Sequence, residues 1–62
     1  MKIVLNGSPA EVPPGTVAEL LGGLRPGVAV AVNGEVVPRA AVGGRELVPG
    51  DVVEVVTAVQ GG

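Results

Sequence analysis

The sequence predicts an α+β fold, a mixed sheet of four to five strands with one short helix packed on one face. Three observations lead there. Short aliphatic runs rich in Val recur between Gly- and Pro-containing breaks, and β-branched residues favour strands. One capped segment, residues 16–24, carries helical periodicity. The chain has 62 residues, which accommodates one domain and no more.

The elements follow in order. Residues 1–5 form an aliphatic run that ends at Asn6-Gly7, a dipeptide suited to the positive φ angles of a type I′ hairpin turn. Residues 8–12 return from that turn. Pro9 has no N–H to donate, which places this strand at an edge or delays its start to Ala10. Pro13-Pro14-Gly15 then breaks it. Thr16 opens the helix as a capping residue, with Glu19 three positions on to complete a capping box. Val17, Leu20, Leu21 and Leu24 fall on one helical face. Gly22-Gly23 weakens the last turn and Pro26-Gly27 forbids continuation, so the helix should span about two turns.

Residues 28–32 are the next strand, turned back by a second Asn-Gly pair, Asn33-Gly34, into Glu35-Val36-Val37. Pro38 stops that pairing, and residues 38–46 read as irregular. Pro49-Gly50-Asp51 is a tight turn ahead of residues 52–59, the longest strand signal and hence a candidate for the centre of the sheet. This order is that of the β-grasp, or ubiquitin-like, architecture, with a right-handed crossover from the N-terminal hairpin through the helix. Residues 1–59 would form the domain and residues 60–62 a flexible Gly-Gly tail. Alternation assigns Ile3, Leu5, Val30, Val32, Val53 and Val55 to the core, and Ala29, Ala31, Val56 and Ala58 to the open face. Small apolar residues are unusual on a merely solvated face.

Composition excludes several function classes. Hydrophobic residues make up 47% of the chain, yet it has no Phe, Trp, Tyr, Cys or His. Disulfides and a Zn site are therefore impossible, and aliphatic packing alone must build the core. With net charge −2 and four dispersed basic residues, there is neither a cationic footprint for a phosphate backbone nor an aromatic platform for bases. No apolar run approaches the roughly 20 residues of a membrane helix, and the N-terminal residues lack a signal-peptide pattern. The expectation is a cytoplasmic protein that binds neither nucleic acid nor membrane.

Catalytic side chains are scarce as well. The hydroxyls are Ser8, Thr16 and Thr57, and the six acids read as exposed, capping or turn residues. A two-layer domain with one helix has little room for a pocket of the usual 300 Å³ or more. The chain is expected to be no enzyme. The remaining chemical feature is its end. Gly61-Gly62 follows the longest strand with only Gln60 between, and glycine lets a backbone thread a narrow channel because it has no Cβ. That suits a carboxylate at Gly62 which another enzyme draws into its own active site and activates with ATP.

Several segments together resemble the ThiS family of thiamine-biosynthesis sulfur carriers, in the ubiquitin-like ThiS/MoaD superfamily. They are the opening hairpin of residues 1–7, Gly15-Thr16-Val17-Ala18-Glu19-Leu20-Leu21, Ala29-Val30-Ala31-Val32-Asn33-Gly34, Val36-Val37-Pro38-Arg39, Pro49-Gly50-Asp51 and the Val59-Gln60-Gly61-Gly62 ending. The resemblance covers essentially the whole chain, and the Val-Pro-Arg segment with the ending carries most of its specificity. It implies a protein co-substrate that partner enzymes modify. A ThiF-like adenylyltransferase, similar to ubiquitin-activating enzymes, would adenylate Gly62 with Mg-ATP, the carrier itself binding no cofactor. A persulfide sulfur donor system would convert the adenylate to a thiocarboxylate, and a ThiG-like thiazole synthase would accept the sulfur. Ala29, Ala31, Val56 and Ala58 would then form a docking patch, and Arg39 would meet an acidic partner surface.

Related readings stay open at the level of sequence. A molybdopterin-synthase small subunit, a carrier for tRNA thiolation and a protein conjugated to lysines share the fold and the ending. Residues 31–34 and 50–57 also resemble the TGS domain, a binding module of RNA-linked proteins. Fold alone does not separate these.

Overall fold

The computed structural model describes residues 1–57. Five strands and one helix are present: β1 (Lys2–Leu5), β2 (Ser8–Glu11), α1 (Val17–Leu21), β3 (Val28–Val32), β4 (Glu35–Val36) and β5 (Val52–Thr57), with a 3₁₀ turn at Arg39–Ala41. They form one sheet in the order β2-β1-β5-β3-β4. The last strand lies at its centre, parallel to β1 and antiparallel to β3.

Both hairpins turn as their sequences demand. Asn6 and Gly7 have φ of 50° and 82°, and Asn33 and Gly34 have φ of 52° and 85°. A type I′ turn needs positive φ at both central residues, and Asn and Gly tolerate it best. The first turn puts Leu5 opposite Ser8 and hence Val4 opposite Pro9. Leu5 and Ser8 close the two-residue turn as a hydrogen-bonded pair, so the next pair is a non-bonded one. The missing N–H of Pro9 consequently faces outward on an edge strand, and β2 starts at Ser8 rather than at Ala10.

The capping box is formed in full. The Glu19 amide donates to Thr16 Oγ1 at 3.2 Å, and the Thr16 amide donates to Glu19 Oε1 at 2.9 Å. The amides of Val17 and Ala18 donate to the carbonyls of Arg45 and Val42, which satisfies further donors that a helix start leaves open. The helix is shorter than its apolar periodicity predicts, at five residues. Gly22 turns left-handed at φ 70°, and the Gly23 amide closes onto the Ala18 carbonyl at 2.9 Å. That ending satisfies the last carbonyls only if the chain leaves the helix there. Leu24 therefore reaches the core from a loop.

The core lies between α1 and the sheet. Ile3, Val17, Val30, Val32, Val37, Val42, Leu47 and Val53 are buried, with Leu5 and Val55 packed partly buried against them. Alternation along the strands thus identifies the core-facing side correctly. Val42 and Leu47 come instead from the segment that reads as irregular, where backbone bonds such as that from the Leu47 amide to the Gly15 carbonyl hold it over the helix start.

Two substitutions gauge these terms by urea denaturation. Thr16→Ala removes the cap and should cost about 1 kcal/mol. Ile3→Val at the buried centre should cost roughly 0.5–1.5 kcal/mol. Both should lower the midpoint and leave the slope unchanged, since neither alters the surface exposed on unfolding.

Candidate functional site

Strand β5 leads to the residues that the sequence marks for chemistry, so its support defines the site. On one side the amides of Val4 and Asn6 donate to the carbonyls of Asp51 and Val53, both at 2.9 Å. Where β1 ends, Asn6 Oδ1 accepts from the Val55 amide at 2.8 Å and extends the contact along β5. On the other side β5 pairs with β3 from Val53 opposite Val32 to Thr57 opposite Val28. The strand is held by β3 as far as Thr57, the last described residue, and on the β1 side as far as Val55.

Its beginning is fastened by a buried acid. Asp51 is only 3% exposed. Its Oδ1 accepts from Asn33 Nδ2 and its Oδ2 from the Val48 amide, each at 2.9 Å. The Arg45 guanidinium lies 3.6 Å away from the same carboxylate. Asn33 in turn accepts from the Val52 amide through Oδ1 at 2.9 Å and donates its own amide to the Val52 carbonyl at 2.7 Å. The β3–β4 hairpin, the loop after Arg45 and the start of β5 therefore meet on one carboxylate. Sequence reasoning places Asp51 in a turn, which is right, but misses its burial. Burial pushes its pKa up, yet the Val48 amide, the Asn33 side chain and Arg45 together outweigh that and hold it below its ordinary value.

The open face comes together largely as expected. Ala29 stands opposite Val56, and Ala31 stands opposite both Glu54 on β5 and Val36 on β4. Ala29 is exposed, Ala31 half-buried and Val56 59% exposed. Val52, 42% exposed, pairs with Val4, and Val36 is 72% exposed, so all three extend the same apolar face. Their position follows from the alternation that identifies Val56, and β4 register adds Val36. Gln60, Gly61, Gly62 and Ala58 lie outside the described residues.

Arg39 has a different setting. It is exposed, and its guanidinium donates to the carbonyls of Leu24 at 2.5 Å and Arg25 at 3.1 Å. These bonds tie the loop after α1 to the segment after β4. Two shallow grooves accompany this arrangement. One of about 280 Å³ is lined by Pro13, Pro14, Thr16, Leu20 and Leu47 among others. A second of about 260 Å³ lies between Leu21, Arg25, Val28 and Val55. Both fall below the size usual for small-molecule sites. Among the described residues no group of three His, Cys, Asp or Glu side chains is placed to hold a metal ion, and no helix is long and apolar enough to cross a membrane.

The fold and the sequence agree with a known family. The model of the ThiS family matches residues 3–62. The chain belongs to the ThiS family. It is also similar to a crystal structure of the thiamine biosynthesis protein (ThiS) from Geobacter metallireducens, with 33% identity, a TM-score of 0.86 and full coverage of both chains. No curated protein matches. The five-stranded mixed sheet with one short helix is accordingly the ubiquitin-like β-grasp, as in that ThiS structure. Members of the ThiS family are small carrier proteins rather than enzymes.

The acid clasp carries a pH prediction. A carboxyl whose folded pKa lies below its unfolded value of about 3.9 contributes stability above that value and loses it as pH falls through the folded one. Stability should drop from about pH 4 downward. Asp51→Asn, which keeps the shape but not the charge, should be less stable at pH 7 and show a shallower decline on acidification. Urea midpoints measured from neutral pH to the acid limit check this, with parallel curves for both proteins as the contrary result.

Proposed function

We propose that this chain is a sulfur carrier in thiamine biosynthesis, loaded at the carboxylate of Gly62. The observation that carries the reading is the family match, which runs through Gly61-Gly62 to residue 62. The fold gives it physical sense. The described body holds its last strand on both edges as far as Val55, and among the described residues no three His, Cys, Asp or Glu side chains cluster.

The reaction follows from the weakness of a carboxylate as an electrophile. An adenylyltransferase of the ThiF kind would transfer AMP from Mg-ATP to the Gly62 carboxylate and release pyrophosphate. The resulting mixed anhydride has a good leaving group. A sulfur nucleophile from a persulfide donor attacks its carbonyl carbon, AMP departs, and reduction of the acyl disulfide by a thiol leaves the thiocarboxylate. That group is anionic at neutral pH and more nucleophilic than the carboxylate it replaces, so it can pass its sulfur to a ThiG-like thiazole synthase. ATP and Mg belong to the activating enzyme. Gly61 and Gln60 serve as the slender lead into its channel, since a glycine offers no Cβ to the walls. Ala29, Ala31, Val56 and Ala58 serve as the docking patch, and the exposure of Ala29 and Val56 around half-buried Ala31 is of the kind that marks interaction sites.

Intact mass tests the reading cleanly because the chain contains no Cys, so a gained sulfur cannot be a cysteine persulfide. After incubation with the adenylyltransferase, Mg-ATP and sulfide, the chain should gain the mass of one oxygen exchanged for one sulfur. A variant lacking Gly62 should gain nothing. An unchanged mass with an enzyme active on another carrier would remove the proposal.

A further inference from the structure

Among the open-face side chains of β5, β3 and β4, which are Val52, Glu54, Val56, Ala29, Ala31 and Val36, Glu54 is the one charge. Along β5 the side chains on that face are Val52, Glu54 and Val56, and across from Glu54 on β3 stands Ala31, itself flanked by Val36. Glu54 is exposed and takes part in no ion pair among the described residues. A carboxylate on the central strand contributes nothing to strand propensity, where Glu is depleted. Nor is it one of many charges keeping a surface wet, because its cross-strand neighbours are Ala31 on β3 and, where β1 ends, the uncharged Asn6. Ala31 stands between Val36 and Glu54 across three neighbouring strands, so a small apolar side chain separates the exposed valine from the carboxylate.

We infer that Glu54 is a recognition residue: the partner that covers this face places a basic side chain across this row, its methylenes over Ala31 and Val36 and its charge on Glu54. Long basic side chains bury their stems on apolar surface while their heads seek an acceptor. Charge also says what covers the face, since an acidic chain of net charge −2 with its one central charge negative fits a basic counterpart and disfavours an acidic one. The occupant is the adenylyltransferase, which rests on the proposal that Gly62 is adenylated. Glu54 lies three residues before Thr57, about 10 Å along the strand. An enzyme that grips the chain's end must lie against the end of the strand that leads to it, within reach of Val56 and Glu54.

Steady-state adenylation measured by pyrophosphate release separates this role from others. Glu54→Gln should raise the KM for the carrier about ten-fold with kcat unchanged, the pattern of lost binding without lost chemistry. Glu54→Lys should raise it further. Raising the salt concentration should increase the wild-type KM toward that of Glu54→Gln and leave the variant nearly flat. Unchanged urea midpoints for both variants show that the fold is intact. Variants that match the wild-type KM would overturn the inference, as would a variant whose only change is self-association, which would make Glu54 a guard against aggregation. If wild-type carrier is not adenylated at all, the reading of Gly62 falls and this inference falls with it. If it is adenylated and the variants are indifferent, only the role of Glu54 is lost.

Discussion

The structure depends on a buried carboxylate that would be costly to leave unpaired. Asp51, at the turn into β5, is satisfied by the Asn33 side chain and the Val48 amide with Arg45 close by. Removing any partner would leave a desolvated group short of a bond, at a cost of about 1–3 kcal/mol. In a domain this small, which buries a modest share of its surface, such a sum matters. The clasp also sets geometry. Asn33 serves at once as the left-handed residue of a hairpin turn and as acceptor for the Val52 amide, so the β3–β4 hairpin and the start of β5 are located relative to each other by one side chain.

From that fixed start, β5 runs through the middle of the sheet with a parallel neighbour on one side and an antiparallel one on the other. One of its faces supplies Val53 and Val55 to the core, and the other displays Val52, Glu54 and Val56. A single strand thereby joins the interior, the candidate docking surface and the route to Gly62. Such a body suits a carrier. On the proposal that Gly62 is the loaded residue, the body is a handle for the partner enzymes and the reaction needs no reactive side chain of its own.

Local signals in the sequence were enough for most of the frame. The two Asn-Gly turns, the Thr16–Glu19 capping box and the period-two alternation each act over a few residues, and each is formed as its chemistry requires. Periodicity misled at Leu24, where spacing suited a longer helix but Gly22 took the left-handed ending. Val42 and Leu47 carry no periodic mark, because their burial comes from backbone bonds to the helix start. The burial of Asp51 depends on a partner 18 positions away, and the contacts of Arg39 on carbonyls 14 and 15 positions away. Separations of that size are invisible to local pattern. At the candidate site, parity along the strands located Ala29, Ala31 and Val56, and the same rule extended to Val36 and Val52 once the pairing register was known. Gly62 rests on the ThiS resemblance and on the family match that includes it.

The central claim is that the body is a handle and that the chemistry belongs to the last residue. Its most direct test is to locate the sulfur. The chain is loaded by the adenylyltransferase with Mg-ATP and sulfide, then digested, and its peptides are fragmented in the mass spectrometer. The account predicts the added sulfur on Gly62 alone, with every peptide of residues 1–57 unchanged. Sulfur on any residue of the body, or an unmodified Gly62 in a chain that has gained mass, would contradict it.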